Sequence, residues 1–220
     1  MKRLIVLVTL AVFFVAGNAS AQVAPMGKPN PAPKPPTSFS DNFNDGDLAG
    51  WSLTALAYPG GGIGNWRVED GVLVQDLMPD HVKALVSNLV LSSQSVETSI
   101  NVHPYGYGGI TVWYQDAGHW VDVWSYPGYQ RMEVWEENTD ADLGYSQTMY
   151  DLYYPGGDWN KLRVDADSRA GTLKVYVDDV LLFTHQITIA ERSGLSGLNS
   201  GNYGTHFDDF KVRKVAVGRQ

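Results

Sequence analysis

Trp113, Trp120, Trp124 and Trp135 lie close together in a chain with 7 Trp in all, and Asp122, Tyr126, Arg131 and Glu133 are interspersed with them. Indole rings pack against the flat C–H faces of sugars, while carboxylate, guanidinium and phenol groups bond sugar hydroxyls. Asp122 and Glu133 also offer a pair of carboxylates for acid–base work if they face each other across neighbouring strands. Asp41, Asn42, Asp45 and Asp47 near the start, with Asp208 and Asp209 near the end, are hard oxygen ligands suited to Ca²⁺. The plainer reading of those acids is turn capping at strand ends. Other chemistries find little support. The chain has no Cys, its 5 His fall in no ligand spacing, and no Gly-x-Ser-x-Gly elbow is present. The glycine-rich stretch from Tyr58 to Gly64 lacks a following lysine and helix pattern, so it reads as a loop. Asn138, Asp140 and Asp142 begin like a calcium loop, but Leu143 and Met149 replace its glycine and its bidentate glutamate.

The elements that must position these residues are strands. From Ser38 onward, short runs of Val, Ile, Tyr, Trp and Thr alternate with polar residues and are cut by Gly, Asp and Asn. Strands are expected at Trp66–Glu69, Val72–Gln75, Val96–Val102, Gly109–Gln115, Trp120–Trp124, Arg131–Glu136, Lys161–Asp165 and Leu173–Val177. No stretch shows sustained helical periodicity with caps. Many short antiparallel strands imply a sandwich or a barrel. Side chains alternate faces along a strand. Ile110, Val112 and Tyr114 therefore fall on one side, Thr111 and Trp113 on the other. Val121 and Val123 oppose Trp120, Asp122, Trp124 and Tyr126; Met132 and Val134 oppose Arg131, Glu133, Trp135 and Glu137. If the three strands are hairpin neighbours, Trp113, Trp120, Trp124, Tyr126 and Trp135 collect on one polar-aromatic face. Two readings stay open: a ligand surface, or a face covered by a loop or second sheet.

Composition bounds the partners. A formal net charge of −8 and the absence of Lys/Arg clusters argue against nucleic acid and anionic membrane surfaces. Lys2, Arg3, the apolar run Leu4–Ala16 and the small residues Ala19-Ser20-Ala21 form a leader, with cleavage expected before Gln22 and export to the periplasm or beyond. No later run is long enough for a transmembrane helix. Gln22–Thr37 is proline-rich and reads as an extended tether, or as a tail without a role. The folded domain is expected at 38–217.

Several phrases, in order, resemble the concanavalin A-like lectin/glucanase superfamily. They are Phe39-Ser-Asp41-Asn-Phe43-Asn-Asp45-Gly-Asp47-Leu with Trp51, Trp66-Arg-Val-Glu-Asp-Gly71, Gly109-Ile110, Gly157-Asp-Trp159-Asn160, Gly194-Leu-Ser-Gly197-Leu198 and Phe207-Asp208-Asp209-Phe210. They look like the bacterial branch with 3-keto-disaccharide hydrolase domains and laminin-G-like modules. The resemblance implies an all-β, two-sheet antiparallel jelly roll with a glycan site on the concave sheet face. It also implies that the first and last strands pair at a sheet edge, bringing Asp41 and Asp45 toward Asp208 and Asp209. Glucanases of this fold carry Glu-x-Asp-x-(x)-Glu on one strand; here Glu133 and Glu137 keep the outer positions and Trp135 takes the middle one. The keto-disaccharide pattern places an Arg soon after Gly-Ile and a Glu-x-Gln later; Trp113 and Glu133-x-Trp135 stand there instead. The expectation is an exported, non-catalytic carbohydrate-binding domain that uses the tryptophan face, with no certain cofactor and a structural calcium as the one candidate. The alternative is a glycoside hydrolase using Glu133 with Asp122 or Glu137, and the third reading is a structural envelope domain.

Overall fold

The computed structural model describes residues 34–54, 62–76, 81–139, 144–152 and 157–216. The expectations for the leader at 1–21, for most of the tether at 22–37, for Asp140 and Asp142, and for the domain end at 217 fall outside these residues. β-Branched and aromatic residues at alternating positions have the propensity for a pleated, half-buried surface, and they build two antiparallel sheets. The eight-stranded sheet runs β13 (Val180–Gln186), β12 (Thr172–Val177), β11 (Asn160–Asp167), β6 (Gln94–Val102), β15 (Thr205–Lys214), β4 (Val72–Gln75) and β3 (Trp66–Glu69), and β1 (Ser38–Asp41) also pairs with β15. The seven-stranded sheet runs β10 (Tyr145–Asp151), β9 (Arg131–Asn138), β8 (His119–Tyr126), β7 (Tyr107–Asp116), β14 (Leu195–Gly201), β5 (Val82–Val86) and β2 (Trp51–Thr54). Among the described residues the only helical element is the 3₁₀ turn Pro127–Tyr129. This is a two-sheet jelly-roll sandwich, and β7, β8 and β9 are the hairpin neighbours that the strand phases require.

The inner faces interlock around Val96, Ile100, Val164 and Val175 from the larger sheet and Ala84, Ile110, Val123 and Val134 from the smaller. Bulges in β15 and β7 interrupt the alternation. In β15 the register shifts between Asp208 and Lys211, with Asp209 at φ 49°, so Phe207, Phe210 and Val212 all reach the core. In β7 the register shifts between Val112 and Asp116, and Trp113 adopts φ 54°. A left-handed tryptophan is a strained conformer. It turns the indole into the inter-sheet core, fully buried, where Nε1 donates to the Ser92 carbonyl at 2.5 Å. The bulged backbone presses on Gly194, where a Cβ would stand 2.4 Å from the Tyr114 oxygen. Trp113 therefore leaves the aromatic face to which simple alternation assigns it. Tyr114, assigned to the core side, packs with the outer aromatic cluster instead.

The open edges of the two sheets are joined by a polar network invisible to a search for chemical motifs. Glu136 projects from β9 toward the core side and is 1% exposed. Its Oε2 accepts from the Thr188 amide at 2.7 Å, the Thr188 hydroxyl at 2.9 Å and the Ile189 amide at 3.0 Å. Its Oε1 lies 3.1 Å from His185 Nε2 on β13, and His185 Nδ1 lies 2.8 Å from the Tyr150 hydroxyl on β10. A proton on His185 Nε2 donated to Glu136, with the Tyr150 hydroxyl donating to Nδ1, satisfies both contacts. Burial pushes the Glu136 carboxyl up, and the His185 contact with the Thr188 and Ile189 donors outweighs it, holding the group below the ordinary glutamate range. A carboxyl depressed in the folded state stabilises the fold fully above its unfolded pKa of about 4.3, and that stability is lost as pH falls through the folded value. Glu136→Gln should therefore flatten the loss of stability between about pH 5 and pH 3, as read by urea unfolding at each pH; profiles of equal slope for both proteins would contradict it.

Candidate functional site

The outer face of the seven-stranded sheet carries the remaining aromatic and charged candidates. The β8–β9 register sets Trp120 opposite Glu137, Asp122 opposite Trp135, Trp124 opposite Glu133 and Tyr126 opposite Arg131. Asp122 and Glu133 are thus diagonal neighbours and not the facing pair that a cross-strand acid–base couple needs. Each has its own cationic partner. Asp122 is fully buried, bonded to the Lys83 ammonium from β5, and its Oδ1 accepts from the Thr111 hydroxyl at 2.6 Å. The Lys83 ammonium also lies 3.8 Å from the centroid of the Trp120 ring. Burial pushes this ammonium below the ordinary lysine range against the pull of Asp122. Glu133, likewise buried, has Oε1 2.6 Å from an Arg131 guanidinium nitrogen, while its Oε2 accepts from the Gln147 amide at 2.6 Å.

Glu137 differs from both. Burial pushes its carboxyl above the ordinary range, and the nearby Asp122 charge adds to this, although Trp135 Nε1 donates to it at 3.1 Å. Glu133, Asp122 and Glu137 thus share one face, with Asp122 and Glu137 near enough for the charge of one to raise the carboxyl of the other.

The aromatic rings form a continuous diagonal row. Tyr145 stacks on Trp135 at 4.7 Å between centroids, Trp135 on Trp124 at 5.4 Å, and Trp124 on Tyr107 at 5.0 Å. Tyr107 stacks on Tyr126 at 4.9 Å, and Tyr129 stands edge-on to Tyr126 at 6.2 Å. The centre of the row is covered: Trp124 and Tyr107 are 1% and 4% exposed, and Trp120 beside them is fully buried. His81, at φ 57°, lays its ring 4.5 Å from Trp124 and 5.6 Å from Trp135. An open surface of all the tryptophans is thus corrected to a partly roofed row whose accessible members are Trp135, Tyr126, Arg131 and the exposed ends Tyr145 and Tyr129. Sequence reasoning missed Lys83, His81, Tyr107 and Tyr145. Only Lys83 had a signal, as a lone cation inside an otherwise apolar strand.

The calcium expectation fares differently. β1 does pair with β15, and Asp41, Asp45 and Asp209 line one cavity of about 340 Å³ with Lys211. Burial raises the Asp208 carboxyl, and the Asp209 and Asp41 charges raise it further. Asp41, however, spends one oxygen on the Phe43 amide at 2.8 Å and the other on Trp51 Nε1 at 2.8 Å. Among the described residues no group of three or more His, Cys, Asp or Glu side chains is placed to hold a metal ion. The acids serve the turn after β1 and the bulge of β15.

The model of the 3-keto-alpha-glucoside-1,2-lyase-like domain matches residues 38–213, from the first strand almost to the end of the last. The chain belongs to this family. No curated protein matches it. Solved structures similar to this 3-keto-alpha-glucoside-1,2-lyase-like domain include carbohydrate-binding module CBM66 from Bacillus subtilis, at 18% identity and TM-score 0.61 over 75% of this chain and 96% of that one. A Bacillus licheniformis β-glucanase aligns at 14% identity and TM-score 0.62, over 83% of this chain and 100% of its own. A glycosyl hydrolase from Parabacteroides distasonis, so described with reservation, aligns at 16% and TM-score 0.52 over 79% and 92%. At these identities the likeness is one of fold. The family's sandwich is thus the frame also used by a carbohydrate-binding module and by glucanases.

The displacement of Trp113 has a measurable sign. Trp113→Ala should cost about 3–5 kcal/mol of stability through lost contacts and a cavity, read by urea or thermal unfolding. A loss below about 1 kcal/mol would mean that the indole does not fill the core.

Proposed function

We propose that this domain is an exported saccharide-binding module that uses the outer face of the seven-stranded sheet and does not cleave its ligand. The carrying observation is the stacked row from Tyr145 through Trp135, Trp124, Tyr107 and Tyr126 to Tyr129, exposed at its ends and flanked by Arg131 and Gln147. The accessible rings, Trp135 with Tyr145 and Tyr126 with Tyr129, give a sugar apolar support, and the polar rim supplies hydroxyl partners. Charge supports the reading without turnover. Asp122 is held by Lys83 and Glu133 by Arg131, so neither carboxylate is poised beside the other to share one bond's cleavage. The leader-like start of the chain supports export, and the fold neighbours named as a carbohydrate-binding module and glucanases support the ligand class.

One observation favours a second reading, glycan cleavage. Glu137 has a raised carboxyl beside the accessible Trp135, which is what a proton donor to a leaving oxygen requires.

On a printed glycan array, Trp135→Ala and Tyr145→Ala should each weaken capture by about 1–3 kcal/mol, ten- to hundredfold, with little change in melting temperature. Product analysis on the captured glycans should show no new reducing ends or eliminated sugars. Turnover by the wild type that disappears in Glu137→Gln or Glu133→Gln would replace the binding reading with the catalytic one.

A further inference from the structure

Where the aromatic row reaches the end of the sandwich, it runs into a cavity that the row itself does not require. β7 begins at Tyr107, β8 ends at Tyr126, β14 ends at Gly201 and β15 begins at Thr205, so several loops converge here. The cavity is about 440 Å³, and it is lined by Tyr105, Tyr107, Tyr126, Tyr129, Asn202 and Tyr203 among others. Its floor is the stack of buried Tyr107 on half-buried Tyr126; its rim is three tyrosines left in water, Tyr105 at 73%, Tyr129 at 70% and Tyr203 at 53% exposure. Exposed apolar rings gathered this densely are seldom idle on a soluble surface.

The loops are built to hold this shape. Tyr203 lies face to face with His103 at 5.5 Å, and Tyr105 meets Tyr203 edge-on at 6.1 Å. Asn202 and Tyr203 are held in left-handed backbone at φ 46° and 40°, a strained state for tyrosine that persists only where the surroundings enforce it and that concentrates at ligand sites. A Cβ at position 128 would stand 2.2 Å from the Pro104 carbonyl oxygen, so the loop carrying Tyr129 touches the loop carrying Tyr105 backbone to backbone.

Charge narrows the guest. The Arg131 guanidinium sits 5.0 Å from the Tyr129 ring centroid and 5.3 Å from that of Tyr126, so a cationic ligand would meet a cation already over the rings. The same guanidinium is 2.6 Å from buried Glu133, which matches its charge, so an anionic ligand gains little from it and meets the repulsion of that carboxylate. A neutral, hydroxyl-bearing ring meets neither cost and finds phenol and amide partners. The volume lies near the low end of the ~300–1,000 Å³ range for ligand sites, which suits a small guest such as the last sugar of a chain.

We infer that this loop-end cavity is the subsite for the terminal, uncharged sugar of the ligand, so that the domain recognises chain ends, with the row toward Tyr145 supporting the residues that follow. The inference rests on the saccharide-binding reading and adds where the end of the chain goes and what charge it carries.

The test uses the full chain on a printed glycan array that displays neutral and acidic termini on common internal sequences. Captured glycans should share an uncharged terminal residue, and periodate oxidation of that residue should abolish capture. Tyr129→Ala and Tyr203→Ala should each lower affinity tenfold or more with unchanged melting temperature, because both rings stand in solvent. Tyr145→Ala should weaken longer glycans without altering the preferred terminus. Hits that share internal units but not termini, or full affinity in the Tyr129 and Tyr203 variants alongside a loss in Tyr145→Ala, would overturn the end subsite and leave the binding row standing. Silence of the wild type across the whole array would overturn both.

Discussion

Side chains on a strand must take opposite faces in turn, and β7 breaks that rule at one residue. Trp113 in left-handed backbone absorbs an extra position in the ladder, and every assignment beyond it changes side. The indole becomes a filler between the sheets, with its N–H satisfied by the Ser92 carbonyl. Tyr114 passes to the outside. Thr111, just before the break, stays on the outer face and bonds Asp122, which anchors Lys83. The bulge thus separates two aromatic populations that look alike in sequence, one for the interior and one for the face.

Beneath the outer rings lie charges that a soluble protein seldom buries. Each carboxylate at the centre of the face is matched by a cation reached from another position on the sheet: Lys83 from β5 for Asp122, and Arg131 two residues along β9 for Glu133. Removing one member of such a pair strands the other in low dielectric, whereas removing both can be nearly neutral. The Lys83–Asp122 pair ties β5 to β8 across the two strands between them, whereas Arg131 and Glu133 belong to one strand. Both pairs also leave the face with little net field, and aromatic stacking becomes its dominant offering to a ligand.

The sandwich was legible because its evidence is periodic. Val121, Val123, Met132 and Val134 declare an inner side, and the phrases from Phe39 to Phe210 declare the superfamily. Strands with a mixed pattern were harder: Val82–Val86 hides Lys83 within apolar neighbours, and Tyr145–Asp151 has no buried residue. On the site, Trp120, Trp124, Trp135, Tyr126, Arg131, Glu133 and Glu137 do share the face that alternation gives them. Trp113 does not, because a bulge leaves no mark that a count of alternate residues can detect. The Asp122–Glu133 pairing failed for a related reason, since hairpin register depends on the turn of Pro127–Tyr129 and not on the strands alone. Tyr107 opens β7, Tyr129 closes the 3₁₀ turn and Tyr203 lies between β14 and β15, and only the closed topology brings them together.

The contact between the Pro104 carbonyl and Gly128 has a consequence for how such a protein can diverge. The two loops lie closer than any side chain allows, so a substitution at position 128 pushes on the neighbouring loop as well as its own. Change at this end of the sandwich is therefore forced to be concerted: an altered loop survives only with a matching alteration in the one it touches. Relatives would be expected to differ here in blocks, whole loop sets exchanged together, while single replacements accumulate on the far edge strands, where no backbone stands in the way.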